Sequence, residues 1–113
     1  MTTMRYKILA QACPANTANV TLYTVPANTN TIISTLSVCN LSVNNKTYNV
    51  CAIPSGDVID KKHFIAANGA IAAYDSIALT IGMTLGANDS VMVAGQDGNN
   101  IAFTIFGTEI TEP

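Results

Sequence analysis

Apolar residues recur at alternate positions through most of this chain, and the intervals between such runs carry Pro, Gly, Asn and Asp. A period of two places successive side chains on opposite faces of a strand. The pattern predicts strands over residues 5–12, 19–25, 31–41, 46–53, 63–67, 74–85, 90–94 and 100–108. The clearest run is 74–85, with Ile77, Leu79, Ile81, Met83 and Leu85 on one parity and Ser76, Ala78, Thr80, Gly82 and Thr84 on the other. The first set is expected to face a core, at roughly 1.5–3 kcal/mol for each side chain fully buried. Val91 and Val93 continue that inward face beyond a GAND turn. The second set is small and uncharged, and either water or another subunit covers it.

Within 31–41, Ile32, Leu36 and Val38 share one parity, and Tyr48, Val50 and Ala52 share a face of 46–53. Pro26 stops the second strand because it has no N–H to give to a ladder. Asn44-Asn45 is read as a hairpin turn between 31–41 and 46–53, and Asn68-Gly69 as a tight turn. DVIDKK, the most charged stretch, is read as an exposed crossing between sheets. The only segment of helical composition, IAANGAIAAYD, carries Asn-Gly in its middle, which a helix tolerates poorly. The fold class is therefore all-β, an antiparallel sandwich of about eight strands, Ig-like or jelly-roll-like. Residues 1–113 are expected to form a single domain, with residues 1–5 either a flexible or subunit-swapping arm or a frayed terminus.

Composition sharpens the picture of the surface. Of 113 residues, 49% are hydrophobic and 11% charged, against a usual charged share of about 25%. Thr, Ser and Asn must supply the polar surface, which suits packing against other protein because little charge has to be desolvated there. The net charge is −2 and the basic residues are Arg5, Lys7, Lys46, Lys61 and Lys62. They form no stripe able to neutralise a phosphate backbone, so no nucleic-acid partner is expected. No apolar run is long enough for a membrane-spanning helix, and MTTMRYKILAQACPA mixes in charge too early for a signal peptide. Cys13, Cys39 and Cys51 make an odd count without metal-ligand spacing. A three-residue hairpin loop at 44–46 would set Cys39 across from Cys51. The alternatives are a bridge there or buried free thiols acting as small hydrophobes.

Candidate chemistry is sparse. No serine sits in a GxSxG elbow that His63 could serve, and His63 is read as a strand-end or interface residue. Asp57, Asp60, Asp75, Asp89 and Asp97 fall at turns or strand ends, where Asp bonds its own backbone. SGDVID and GQDGNN offer oxygens to calcium but match no EF-hand loop. Asn19, Asn40 and Asn45 begin N-glycosylation patterns that are read as chance matches. No catalytic residue, metal site or cofactor is expected, and the chain is not read as an enzyme.

The segments RYKILAQACPA, TLYTVPANTNTIISTLSVCN, KHFIAANGAIAAYDSIALTIGMTLGANDSVMV and IAFTIFGTEI cover most of the chain in order. Together they resemble a group of short β-sandwich virion structural proteins of tailed phages, notably marine cyanophages. The resemblance implies a particle component, a capsid decoration or cement subunit first and a neck, baseplate or tail-fibre component second. It implies a symmetric homo-oligomer that partners other virion proteins, is found in the virion, and assembles in the reducing host cytoplasm. A carbohydrate- or host-surface-binding sandwich is the alternative of a different class, although 6% aromatic residues and no Trp supply few stacking groups. The candidate subunit-interface residues are Arg5, Tyr6 and Lys7 near the start, Thr80 and Thr84 on the small face, His63, and Glu109 and Ile110 near the end.

Overall fold

The computed structural model describes residues 2–80 and 82–112. Nine strands run among them: β1 (Thr3–Ala12), β2 (Val20–Thr24), β3 (Thr29–Asn40), β4 (Lys46–Ile53), β5 (Phe64–Ile71), β6 (Ser76–Leu79), β7 (Met83–Leu85), β8 (Ser90–Gly95) and β9 (Ile101–Thr111). A single 3-10 turn at Lys61–His63 precedes β5. One sheet has the order β1-β9-β3, with β6 and β7 both lying along the far side of β3; the other has the order β2-β8-β4-β5. Every pairing is antiparallel.

The pairs β4–β5, β3 with β6 and β7, β2–β8, and β1–β9 are nested like one long hairpin folded back at residues 54–63. Cross pairs β4–β8 and β3–β9 roll that hairpin into two sheets. With β6 and β7 counted as halves of one strand, this is the eight-stranded jelly roll, which decides between the two sandwich types. Ile101, Phe103 and Ile105 of β9 pack with Leu36 and Val38 of β3 against Val91, Val93 and Val50 of the opposite sheet.

The roll overturns two of the expected connections. β3 and β4 lie in different sheets, so residues 41–45 are a crossing and not a hairpin. Asn40 drives it: its Oδ1 accepts from the Ser42 N–H at 2.9 Å, and its Nδ2 lies 2.9–3.3 Å from the carbonyls of Asn44, Ile71 and Ala72. Ser42 Oγ then accepts from the Asn44 N–H, continuing the bend. The side chain of Asn40 is fully buried in this role. Cys39 and Cys51 therefore sit in opposite sheets, and all three cysteines are free thiols. DVIDKK, conversely, does not cross between sheets; it links β4 and β5, which are neighbours in one sheet.

Run 74–85 also departs from the expected single strand. It is broken at 80–82, where Gly82 adopts φ +58°, and Ile81 lies outside the described residues. The break has a physical cause on the partner strand. β3 carries an extra residue between Ile33 and Thr35; β7 follows β3 before that bulge and β6 follows it after. A bulge bends and twists its strand, so a short edge strand cannot stay in register with both halves. Ile77, Leu79, Met83 and Leu85 nonetheless face the core, and Ser76, Ala78, Thr80, Gly82 and Thr84 are exposed. Asn68-Gly69 is a bulge within β5 and not a turn: Tyr48 pairs with Gly69 and Val50 with Ala66. Asn68 takes up the slack at φ +52°, its N–H bonded to Asn49 Oδ1.

Residues 3–5, at the end considered for an arm, pair with Glu109, Ile110 and Thr111 of the same chain. The closing EIT, which showed no packing partner in sequence, is held between β1 and β3.

Candidate functional site

β1 alternates apolar and basic residues: Met4, Tyr6 and Ile8 on one parity, Arg5 and Lys7 on the other. Register fixes what each parity meets, because residues directly opposite in a ladder share a face. Tyr6 lies beside Thr108 of β9, Thr108 beside Ile32 of β3, and Ile32 beside Thr84 of β7. That row crosses four strands. Met4, Ile110 and Asn30 form the next row, and Ile8 sits beside Phe106 on the other side. All of this lies on the outer face. Tyr6 is 78% exposed, Met4 53%, Ile8 51%, Ile32 41% and Phe106 39%. They are five of the ten large exposed hydrophobics among the described residues, gathered on one sheet face without a charged neighbour in its rows. Single exposed hydrophobics are ordinary, but a contiguous patch marks an interaction site. β1 is also the edge strand of its sheet, with one row of backbone groups open to pairing.

The patch exists because of two bulges. β1 carries an extra residue between Ile8 and Ala10, opposite Phe106 and Ile105 of β9, and β3 one between Ile33 and Thr35, opposite Gly107 and Phe106. Each bulge swaps the parity of its strand, so Ile32 points outward while Leu36 and Val38 point inward. Gly107 permits the close approach: a Cβ there would overlap the Ile32 carbonyl oxygen and press on Ile33 Cα.

Beneath the patch the opposite parity builds a polar tie. Glu109 of β9 is buried; Lys7 Nζ lies 3.0 Å from its Oε1, and the Tyr23 hydroxyl donates to its Oε2. Tyr23 belongs to β2 of the other sheet, and its oxygen is also 2.9 Å from Thr31 Oγ1. Burial, then the hydrogen bond to Glu109, pushes the Tyr23 phenol up to about 12. Burial alone would raise Glu109, but the Tyr23 hydroxyl, the Lys7 ammonium and the Arg5 guanidinium together hold its carboxyl below the usual range. A carboxylate gripped from both sheets is a structural clamp that holds β1 and β9 in place.

The structure sorts the candidate residues into three groups. Tyr6, Thr84 and Ile110 come together on the outer face. Arg5, Lys7 and Glu109 fall on the inner parity, with Glu109 buried in the tie rather than open to a partner. Thr80 is exposed in the break between β6 and β7. His63 belongs elsewhere and is buried: its Nδ1 accepts the Asp60 N–H at 2.9 Å and its Nε2 lies 3.1 Å from Asp57 Oδ2, so the ring proton sits on Nε2. It clips the 57–63 loop and is not available as a surface residue. Met4, Ile8, Ile32 and Phe106 were missed. The alternation MRYKI was the available signal, but a bulge has no signature that tells which parity faces out.

No family model matches the chain, and no curated protein sequence matches it. Its fold is shared with chains of viral particles. A chain of the T13 particle of infectious bursal disease virus superposes with a TM-score of 0.57 at 12% identity, over 96% of this chain and 30% of that one. A chain in the structure of the virus's Gx strain gives 0.54 at 13%, over 97% and 32%. This chain thus spans about a third of the length of those two. A chain in the acid-stable capsid structure of Helicobacter pylori bacteriophage KHP30 gives 0.53 at 15% identity, over 97% of this chain and 93% of that one. At such identities the likeness is one of fold.

Proposed function

We propose that the chain is a non-enzymatic virion structural protein, an oligomeric capsid decoration or cement subunit whose copies meet through the outer face of the five-stranded sheet. The observation that carries this reading is the five-residue apolar patch on an edge-bearing sheet. The fold likeness to a chain of the KHP30 capsid, nearly end to end in both chains, supports it. Arg5 and Lys7 lie on the other parity of β1, so the patch can pack on a neighbouring copy without burying a charge.

Magnitudes favour many copies over an isolated pair. Five partly exposed side chains bring roughly 1 kcal/mol or more each when water is removed. Association costs about 4–15 kcal/mol in lost freedom. One such contact is marginal, and repetition in a ring or lattice makes it durable. Free cysteines accord with assembly in a reducing cytoplasm.

The test is mass spectrometry of purified particles together with binding of the purified chain to particles that lack it. Stoichiometric presence and saturable binding over the capsid surface are expected. Presence in only a few copies per particle would move the protein to the neck, baseplate or tail fibre, and absence from particles would overturn the reading.

A further inference from the structure

The four-stranded sheet carries a cleft of about 360 Å³ lined by Thr17, Thr47, Tyr48, Asn49, Asn68 and Gln96. That volume falls at the small end of the range for small-molecule sites, roughly 300–1,000 Å³. No lining residue is charged. Two of its amides are locked in orientation. Asn49 Oδ1 accepts the Asn68 N–H at 2.7 Å, and Gln96 Oε1 accepts the Thr47 N–H at 3.0 Å. An amide whose oxygen is held by a backbone N–H must present its NH₂ group on the other side. Neither Asn49 Nδ2 nor Gln96 Nε2 bonds to a partner among the described residues, and the Tyr48 hydroxyl has none either. Asn49 stands on β4 and Asn68 on the β5 bulge, while Gln96 directly follows β8 and is tied to β4 by its own N–H, 2.9 Å from the Thr47 carbonyl oxygen, so the donors are held in place.

We propose that this cleft binds a neutral saccharide, with the Asn49 and Gln96 amides donating to sugar hydroxyl or acetamido oxygens. Fixed neutral donors suit neutral acceptors: an anion would lack a counter-charge, and an apolar ligand would strand the amides. The donors are side chains and not a row of backbone groups, which favours a sugar over an extended peptide. The inference stands apart from assembly, since the cleft lies on the sheet opposite to the patch.

The test is a backbone-amide NMR titration of the full chain with methyl glycosides of neutral hexoses and N-acetylhexosamines, beside an extended peptide. Shifts confined to Thr17, Thr47, Asn49, Asn68 and Gln96 are expected, saturating in the millimolar range typical of small neutral ligands, about −4 kcal/mol at 1 mM. Asn49→Asp and Gln96→Glu keep the oxygens that hold the Asn68 and Thr47 N–H groups while deleting the donors. Each is expected to weaken binding about tenfold or more with an otherwise unchanged spectrum. Response to the peptide alone, to no glycoside, or with equal affinity in both variants would overturn the proposal. Oligomeric state, read on the same samples, reports separately on the assembly reading.

Discussion

The two sheets of this roll treat their outer faces in opposite ways. On the four-stranded sheet, Cys51 and Ile53 lie on the parity of β4 that turns away from the main core, yet both are buried. The 3-10 turn packs against β4 there, clipped by His63, Asp57 and Asp60. On the five-stranded sheet no loop does this for Met4, Tyr6, Ile8, Ile32 and Phe106, which stay exposed. One end of the first face is covered from within the chain, whereas the second face stays open to solvent. A strand's parity decides only which side chains leave the core; the connections decide whether water reaches them.

The largest expected effect falls on the device that creates the bare face. Gly107→Ala would drive a Cβ into the Ile32 carbonyl between two bulges. A loss of at least ~3 kcal/mol in denaturant unfolding is expected, as for other backbone overpacking. A smaller loss would mean that the bulges relax easily and that the patch is not rigidly presented.

The tie beneath the patch should reveal itself at alkaline pH. The Tyr23 phenol is raised from 10.0 to about 12. A group raised in the folded state contributes stability present below its unfolded value and lost as pH climbs through its folded one. Between pH 10 and 12 the wild type should therefore lose about 2–3 kcal/mol through this residue, and Tyr23→Phe should lose correspondingly less. Glu109 runs the other way: its carboxyl is depressed, so its contribution is complete above the ordinary carboxylate range and fades as acid protonates it. Unfolding curves of both proteins across pH check the two signs.

The covered face can be opened deliberately. His63→Ala removes the acceptor of the Asp60 N–H and the partner of Asp57, at an expected cost of about 1–3 kcal/mol. Burial raises the Cys51 thiol, so in the wild type a thiol reagent should label exposed Cys13 quickly and Cys51 slowly. In the variant Cys51 should label faster while Cys13 is unchanged. Equal Cys51 rates would show that the loop is not its cover.

Alternation alone was enough to read the all-β class, a strand count within one of the nine found and the inward set Ile77, Leu79, Met83 and Leu85, because those depend on local period. The points that failed are long-range. Asn44-Asn45 has hairpin chemistry, but buried Asn40 ties the crossing to the 71–72 backbone, 31 and 32 residues away in sequence. Ile32 sits in phase with Leu36 and Val38 on paper, and a single extra residue in β3 puts it on the other side. The sequence offers Tyr6, Thr84 and Ile110 as interface candidates, but their adjacency appears only when the register of four strands is known. Nothing local in the sequence marks Glu109 or His63, both offered as interface candidates, as a buried polar residue with its partners inside.

The most direct test of the account is solution mass by light scattering for the wild type, Tyr6→Glu and Ile32→Glu. A charge placed at these exposed positions should change monomer stability by no more than about 0.5 kcal/mol, the smallest of the effects expected here. The wild type is expected to form a discrete symmetric oligomer, and both variants to be monomers of undiminished stability. A wild type that is monomeric at every accessible concentration and does not bind particles lacking it, or variants that keep the wild-type mass, would contradict the account.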